Sequence, residues 1–249
     1  MRYLLRLPVA LGLTLALSGC PARPQSVDPL AVMTWHGQAV SISAKILVKA
    51  TPPGGESFTT TVYLWQDGDG RARVLVTKVD QEVLQLLIQA DGAFDAWAPR
   101  SGLRTHGELA DPDLPREFAD IRLLLSELRD GPAAPALNLK PGPAANTLVG
   151  RSGSYQATLG VAGEEITTKT LSDEQGAQVY QVTYSRYRSF DDLHRPTRVE
   201  TRTADGARTV ANLISFDSLG GISAQRMRLT IPDAARAVSP REFLEHLDG

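Results

Sequence analysis

Between residues 40 and 98 apolar side chains recur at every second position. Val40, Ile42, Ala44, Ile46 and Val48 alternate with Ser41, Ser43, Lys45 and Lys49. After the break Pro52-Pro53-Gly54-Gly55, Phe58, Thr60, Val62 and Leu64 alternate with Thr59, Thr61, Tyr63 and Trp65. A helix brings a side chain back to one face about every 3.6 residues and a strand every second residue, so this stretch buries a single face only as strands. Asp67-Gly68-Asp69-Gly70 and Asp91-Gly92 supply residues that tolerate the positive φ of tight hairpin turns. Ala72, Val74 and Val76, then Leu84, Leu86, Ile88 and Ala90, then residues 93–98 continue the pattern. The reading is a five-strand antiparallel meander. Tyr63, Trp65, Val83 and Leu87 stand at opposite positions, more apolar surface than a wholly wet second face needs.

The period then changes. Residues 99–115 read as a loop, and residues 114–129 as an amphipathic helix. Leu114, Phe118, Ile121, Leu124, Leu125 and Leu128 repeat at three and four, with Arg116, Glu117, Asp120, Arg122 and Glu127 opposite. Asp113 is the expected cap and Gly131 the expected stop. Residues 132–145, rich in Pro, Ala and Gly, read as a linker. Strands are expected again near 147–150, 154–159, 165–171, 177–184, 197–203, 209–216 and 223–231, with Asp205-Gly206 as a hairpin turn and 188–196 as a polar loop. Short helices flank the whole. Asp28 caps and Pro29 opens the first, which has Leu30, Val32, Met33 and Trp35 on its apolar side and stops at Gly37; Ser239, Pro240 and Glu242 open the last, with Phe243, Leu244 and Leu247. The fold class is mainly β with a few helices.

At the N-terminus, Arg2 and Arg6 precede an apolar run over residues 4–17, too short for the roughly 20 residues of a spanning helix. A positive start, a short apolar core and small residues at the exit make a secretory signal. Leu17-Ser18-Gly19-Cys20 resembles the lipobox of bacterial lipoproteins. That resemblance implies removal of residues 1–19, lipidation of Cys20, and attachment to a membrane through its acyl chains; one chain binds reversibly, two or three durably. Residues 20–27 become a short lipidated tether, and residues 28–249 a single domain. Pro21 stands where the enterobacterial pattern places an aspartate for inner-membrane retention, so the resemblance favours the outer membrane, facing the periplasm.

Removing residues 1–19 takes away two arginines and no acid, so the formal charge moves from −2 to −4. A mildly acidic chain argues against nucleic acid. Cys20 is the only cysteine, so no internal disulfide can form and the core must carry stability. His36, His106, His194 and His246 lie far apart and match no metal-ligand spacing, so neither a metal nor a cofactor is expected. The stretch Gly150-Arg151-Ser152-Gly153-Ser154 begins like a nucleophile elbow but lacks the second glycine, and the twelfth position of a calcium loop started at Asp67 would be Lys78. Asp191, Asp192 and His194, surrounded by Arg186, Arg188, Arg195 and Arg198, form the best polar constellation: an acid–base set, an anion-docking patch, or a solvated ion-pair network on a strand rim. Trp65 and Trp97 are pocket-lining or plain packing residues. The chain reads as a non-enzyme.

The order short helix, meander, amphipathic helix, loop and further strands resembles the LolA/LolB lipoprotein-carrier superfamily over about residues 28–232. Phe94-Asp95-Ala96-Trp97-Ala98-Pro99 and Pro196-Thr197-Arg198-Val199-Glu200 fit its style. The resemblance implies an incomplete antiparallel β-barrel of about eleven strands, covered by the amphipathic helix, with an apolar cavity for acyl chains. The residues placed to line it are Val62, Leu64, Val74, Leu86, Phe118, Ile121, Leu124, Leu125 and Leu128. An apolar void stays dry and accepts apolar guests; the alternative is that the same residues close up as core. The implied partners are the membrane, through Cys20, and an acyl chain or lipoprotein, with a role in outer-membrane lipoprotein localisation. A second reading keeps the fold but makes it an envelope assembly or sensing module that binds a protein.

Overall fold

The computed structural model describes residues 27–247 except 112, 135–136 and 153–154, and gives the backbone alone at 116, 117, 119, 120, 122, 123, 137 and 219. Cys20, the expected signal segment and nearly all of the expected tether lie outside the described residues.

The alternating stretch forms β1 (Ser41–Thr51), β2 (Phe58–Gln66), β3 (Ala72–Lys78), β4 (Gln81–Ile88) and β5 (Ala93–Ala98), each paired antiparallel with the next. A sixth strand, β6 (Leu103–Glu108), follows within the segment expected to be loop. Its inward positions are Leu103 and Thr105, and its outward ones Arg104, His106 and Glu108, too little apolar contrast to mark a strand in sequence.

The amphipathic helix α2 spans Arg116–Asp130, after the short helix α1 (Pro29–His36). Asp28 caps α1 by accepting from Leu30 N–H at 2.9 Å. Asp113 does not cap α2: the cap position is Pro115, whose ring offers no hydrogen-bonding group. Gly131 stops α2 at φ 88°, where a Cβ would lie 2.7 Å from that of His36, so both the turn and the helix contact require glycine.

The second half runs β7 (Leu137–Pro141), β8 (Thr147–Ser152), β9 (Tyr155–Ala162), β10 (Glu165–Ser172), β11 (Gln178–Phe190), β12 (Leu193–Thr203) and β13 (Arg208–Leu219). Three expectations fail here. The Pro/Ala/Gly linker contains β7, an edge strand that tolerates Pro141 because one side of it is unpaired. The polar loop at 188–196 is a hairpin whose two-residue turn is Asp191-Asp192, with Asp191 at φ 52°. Residues 223–231 are not a strand but turns in a long crossing segment. That segment ends in β14 (Arg236–Ala237), parallel to β6, and the helix α3 (Pro240–Glu245).

All fourteen strands belong to one open sheet, ordered β14-β6-β5-β4-β3-β2-β1-β13-β12-β11-β10-β9-β8-β7. The ends, β14 and β7, are not paired to each other, so this is an incomplete barrel; it has three strands more than the eleven expected. Residues 220–235 leave β13 in mid-sheet and reach β6 near its edge. They cross the outer face, where Arg73 Nη1 donates to the Arg226 carbonyl at 3.2 Å and Met227 is buried. The crossing thus lies over the outer side beside Arg73, whose register partners are Trp65 and Leu87.

The inner face carries three apolar clusters, the smallest of them Ala157, Leu171 and Tyr180. The largest joins β1 to β6 with α2, α3, Leu193 and Phe216. The second joins β8 to β11 with Val32 of α1 and Ala133.

Candidate functional site

Helix α2 lies against the inner face and touches both halves of the sheet. Phe118 stacks on Phe94 of β5, ring centroids 4.7 Å apart. The nine residues expected to line a cavity all belong to the largest cluster. Leu64, Val74, Leu86, Phe118, Leu125 and Leu128 are buried in it, while Val62, Ile121 and Leu124 are only partly buried. The half-buried residues are grouped: Val48 of β1, Val62 of β2 and Val76 of β3 lie toward the hairpin tips, with Ala211 and Leu213 of β13 alongside. The inner face therefore runs from dry core into an apolar strip in partial contact with water.

The C-terminal part of α2 is held differently. Glu127 accepts from Lys169 Nζ of β10 at 2.6 Å and from the Tyr184 hydroxyl of β11 at 2.8 Å. Lys169 also donates to the Ala134 carbonyl at 2.7 Å and is 1 % exposed. Burial, with the Glu127 charge beside it, pushes the Tyr184 phenol well up, so it stays a donor.

One strand further on, Arg195 of β12 is also 1 % exposed. Its Nε donates to the Leu128 carbonyl at 2.8 Å and its Nη2 to Arg129 at 2.6 Å and Gly37 at 3.1 Å; Nη1 donates to the His36 and His194 carbonyls. One guanidinium thus satisfies the C-terminal carbonyls of α1 and α2 together, where the helix dipoles favour a cation. Burial pushes its pKa down to about 10, opposed by the Asp130 charge, so it remains charged at neutral pH.

His36, at the end of α1, is fully buried. Its Nδ1 lies 3.3 Å from the His194 carbonyl, and its Nε2 has no hydrogen-bond partner among the described residues. Burial lowers its pKa to about 4, with the nearby Arg195 charge acting in the same direction. The ring is neutral at pH 7.

The polar constellation therefore separates. Asp191 and Asp192 make a turn, and His194 stacks on Trp35 at 4.4 Å while Ser189 Oγ lies 3.0 Å from its Nδ1. Arg195 points into the protein, whereas Arg198 faces Asn212 and Glu200. Trp65 lies on the outer face, half-buried and stacked with Tyr63 at 6.3 Å, away from the inner cluster; Trp97 is half-buried and paired in register with Arg104. Ser154 of the elbow-like stretch lies outside the described residues. Among the described residues no three His, Cys, Asp or Glu side chains gather at metal-binding distance, and no helix is long and apolar enough to cross a membrane.

No protein-family model matches the sequence, and no curated protein matches it. Solved structures do. A DUF1329 family protein from Desulfovibrio piger superposes with a TM-score of 0.56 at 14% identity, over 80% of this chain and 94% of that one. A putative outer membrane lipoprotein-sorting protein domain from Vibrio parahaemolyticus gives 0.51 at 14%, over 76% and 89%. A LolA superfamily protein from Nitrosomonas europaea gives 0.51 at 10%, over 82% and 99%. The chain has a LolA/LolB-like fold. In this LolA/LolB-like domain the sequence pointed to the apolar inner face and to α2. It missed the two buried cations. Lys169 and Arg195 sit among Thr and Pro in strands with little contrast, and nothing local distinguishes them from surface residues.

Proposed function

We propose that this chain is a membrane-anchored, periplasm-facing lipoprotein that binds acyl chains or lipoproteins on its inner face. Cys20 would carry the anchor, in the outer membrane, and residues 28–249 would act as one binding domain without catalysing a reaction. The carrying observation is the half-buried apolar strip, where Val48, Val62, Val76, Ile121, Leu124 and Leu213 continue the dry core toward water. Apolar groups left in water cost free energy, and an alkyl chain laid along them gains about 0.8 kcal/mol for each methylene buried. Lys169, Tyr184 and Arg195 are engaged in holding α2 against the sheet. The solved structure named as a putative outer membrane lipoprotein-sorting protein domain supports the reading through the fold it shares with this chain.

The test is to purify the chain from cells, extract it with organic solvent and identify what leaves with it. The expected outcome is a stoichiometric fatty acyl species. Ile121→Lys, at the strip, should lose that species while the fold is retained. A lipid-free protein that also takes up no fluorescent fatty acid would overturn the reading. A co-purifying protein bound to a lipid-free inner face would favour an envelope assembly or sensing module instead.

A further inference from the structure

The outer face of β12, β13 and β1 carries a charge the rest of the chain does not. Register sets which residues share it: Arg198, Glu200 and Arg202 of β12 stand opposite Asn212, Val210 and Arg208 of β13, and Val210 and Asn212 stand opposite Lys49 and Leu47 of β1. Lys45 lies further along the same row, 5.3 Å from the ring centroid of Tyr63. Five cations share the face with Glu200 and, at its far end, Asp217, in a chain whose formal charge is −2.

Glu200 does not neutralise the group. It accepts from Arg202 at 2.9 Å and from Arg208 at 2.8 and 2.9 Å, with Arg198 at 3.8 Å, so three guanidiniums share one carboxylate. Its pKa is held down at about 2, mainly by the bonds from Arg208 and Arg202. The side chains of Arg202 and Arg208 remain 61% and 48% exposed. Apolar groups are interleaved: Leu47 is 38% exposed, and the bulge opposite Lys45 and Ile46 turns Ile214 out to 57%. Tyr63 and Trp65 stack beside Lys45, half-buried.

We infer that this face docks on an anionic lipid surface. Long cations on a shallow face suit a phosphate layer, where guanidiniums bind phosphate oxygens in pairs. The exposed Leu47 and Ile214 suit the apolar zone beneath it. The surface lies on the opposite side of the sheet from the acyl-binding strip, so the two proposals stand independently.

The experiment is flotation of the full chain, made non-lipidated by Cys20→Ser, with vesicles of phosphatidylglycerol and phosphatidylcholine. Binding is expected to anionic vesicles, to be absent on pure phosphatidylcholine, and to fall as salt rises. Lys45→Gln with Lys49→Gln, which leaves the Glu200 network intact, should weaken it by roughly fivefold for each charge removed. Lys140→Gln, on the distant edge strand β7, should not. The inference fails if the chain ignores anionic vesicles, if it binds neutral ones equally, or if the double variant binds as before. An acidic protein captured through Lys45 and Lys49 without vesicle binding would likewise overturn it.

Discussion

The two ends of α2 are held by opposite chemistry. Toward its N-terminus, Phe118, Ile121, Leu124 and Leu125 meet the apolar face of the meander, and the contact grades into half-buried residues. Toward its C-terminus, Glu127 and the carbonyls of Leu128 and Arg129 meet Lys169, Tyr184 and Arg195, in short hydrogen bonds with fixed partners. Apolar contact is non-directional and can exchange one partner for another of similar shape. A buried charge cannot, because any displacement leaves it unpaired. The helix is thus anchored at one end and adaptable at the other, and the adaptable end faces the strip where a guest is proposed to lie.

The sharpest way to break this contrast is to cut the polar anchor. Lys169→Ala leaves Glu127 buried without its cation and is expected to cost about 4 kcal/mol in urea unfolding. Replacing both partners, Lys169→Met with Glu127→Leu, should recover most of that loss, since paired apolar substitution removes the uncompensated charge. If the single variant costs no more than a surface change, the anchor is not what fixes the helix.

Next comes the apolar end. Phe118→Ala removes a ring that is 1 % exposed and stacked on Phe94, and should cost about 3 kcal/mol. Here the comparison makes a distinct forecast: a long-chain fatty acid should raise the stability of Phe118→Ala by more than it raises that of Lys169→Ala. Equal restoration in both variants would erase the distinction between the two ends.

The polar end should also respond to pH. His36 is neutral in the fold, with its pKa lowered to about 4, while in the unfolded chain it takes up a proton near 6.5. The unfolded state binds more protons in that interval, so stability falls as pH drops from about 6.5 to 4, by up to about 3 kcal/mol. His36→Phe should flatten the pH dependence of the denaturation midpoint across that window. An unchanged slope would mean that other groups carry it.

The smallest effect lies on the outer face. Arg202→Gln removes one of the guanidiniums around Glu200 and should change stability by less than about 1 kcal/mol, because exposed ion pairs contribute little. A larger loss would place that network in the same class as the buried anchors.

The sequence carried the meander clearly because every second residue from Ile42 to Val48 and from Val62 to Val76 answers to one buried face. It carried α2 through the spacing of Phe118, Ile121, Leu125 and Leu128, and the caps at Asp28 and Ser239 through local hydrogen bonding. Those are near-neighbour effects; that the nine inner-face residues share one cluster is a matter of packing. Strands β6, β7 and the tip of β11 and β12 escaped because their alternation is weak and their pairing depends on partners distant in sequence. The extra apolar residues on the outer side were visible, but the segment that crosses that side at Arg73 arrives from the far end of the chain.

By itself, then, the sequence determined which faces of the meander and of α2 are apolar and where the meander turns. Only the tertiary structure decided which charges are buried. Lys169 is 42 residues from Glu127 and Arg195 is 159 from His36, and no local pattern encodes such a meeting. Periodicity reports what a residue does along its own strand or helix. Whether a cation faces water or the end of a helix depends on which distant segment packs against it.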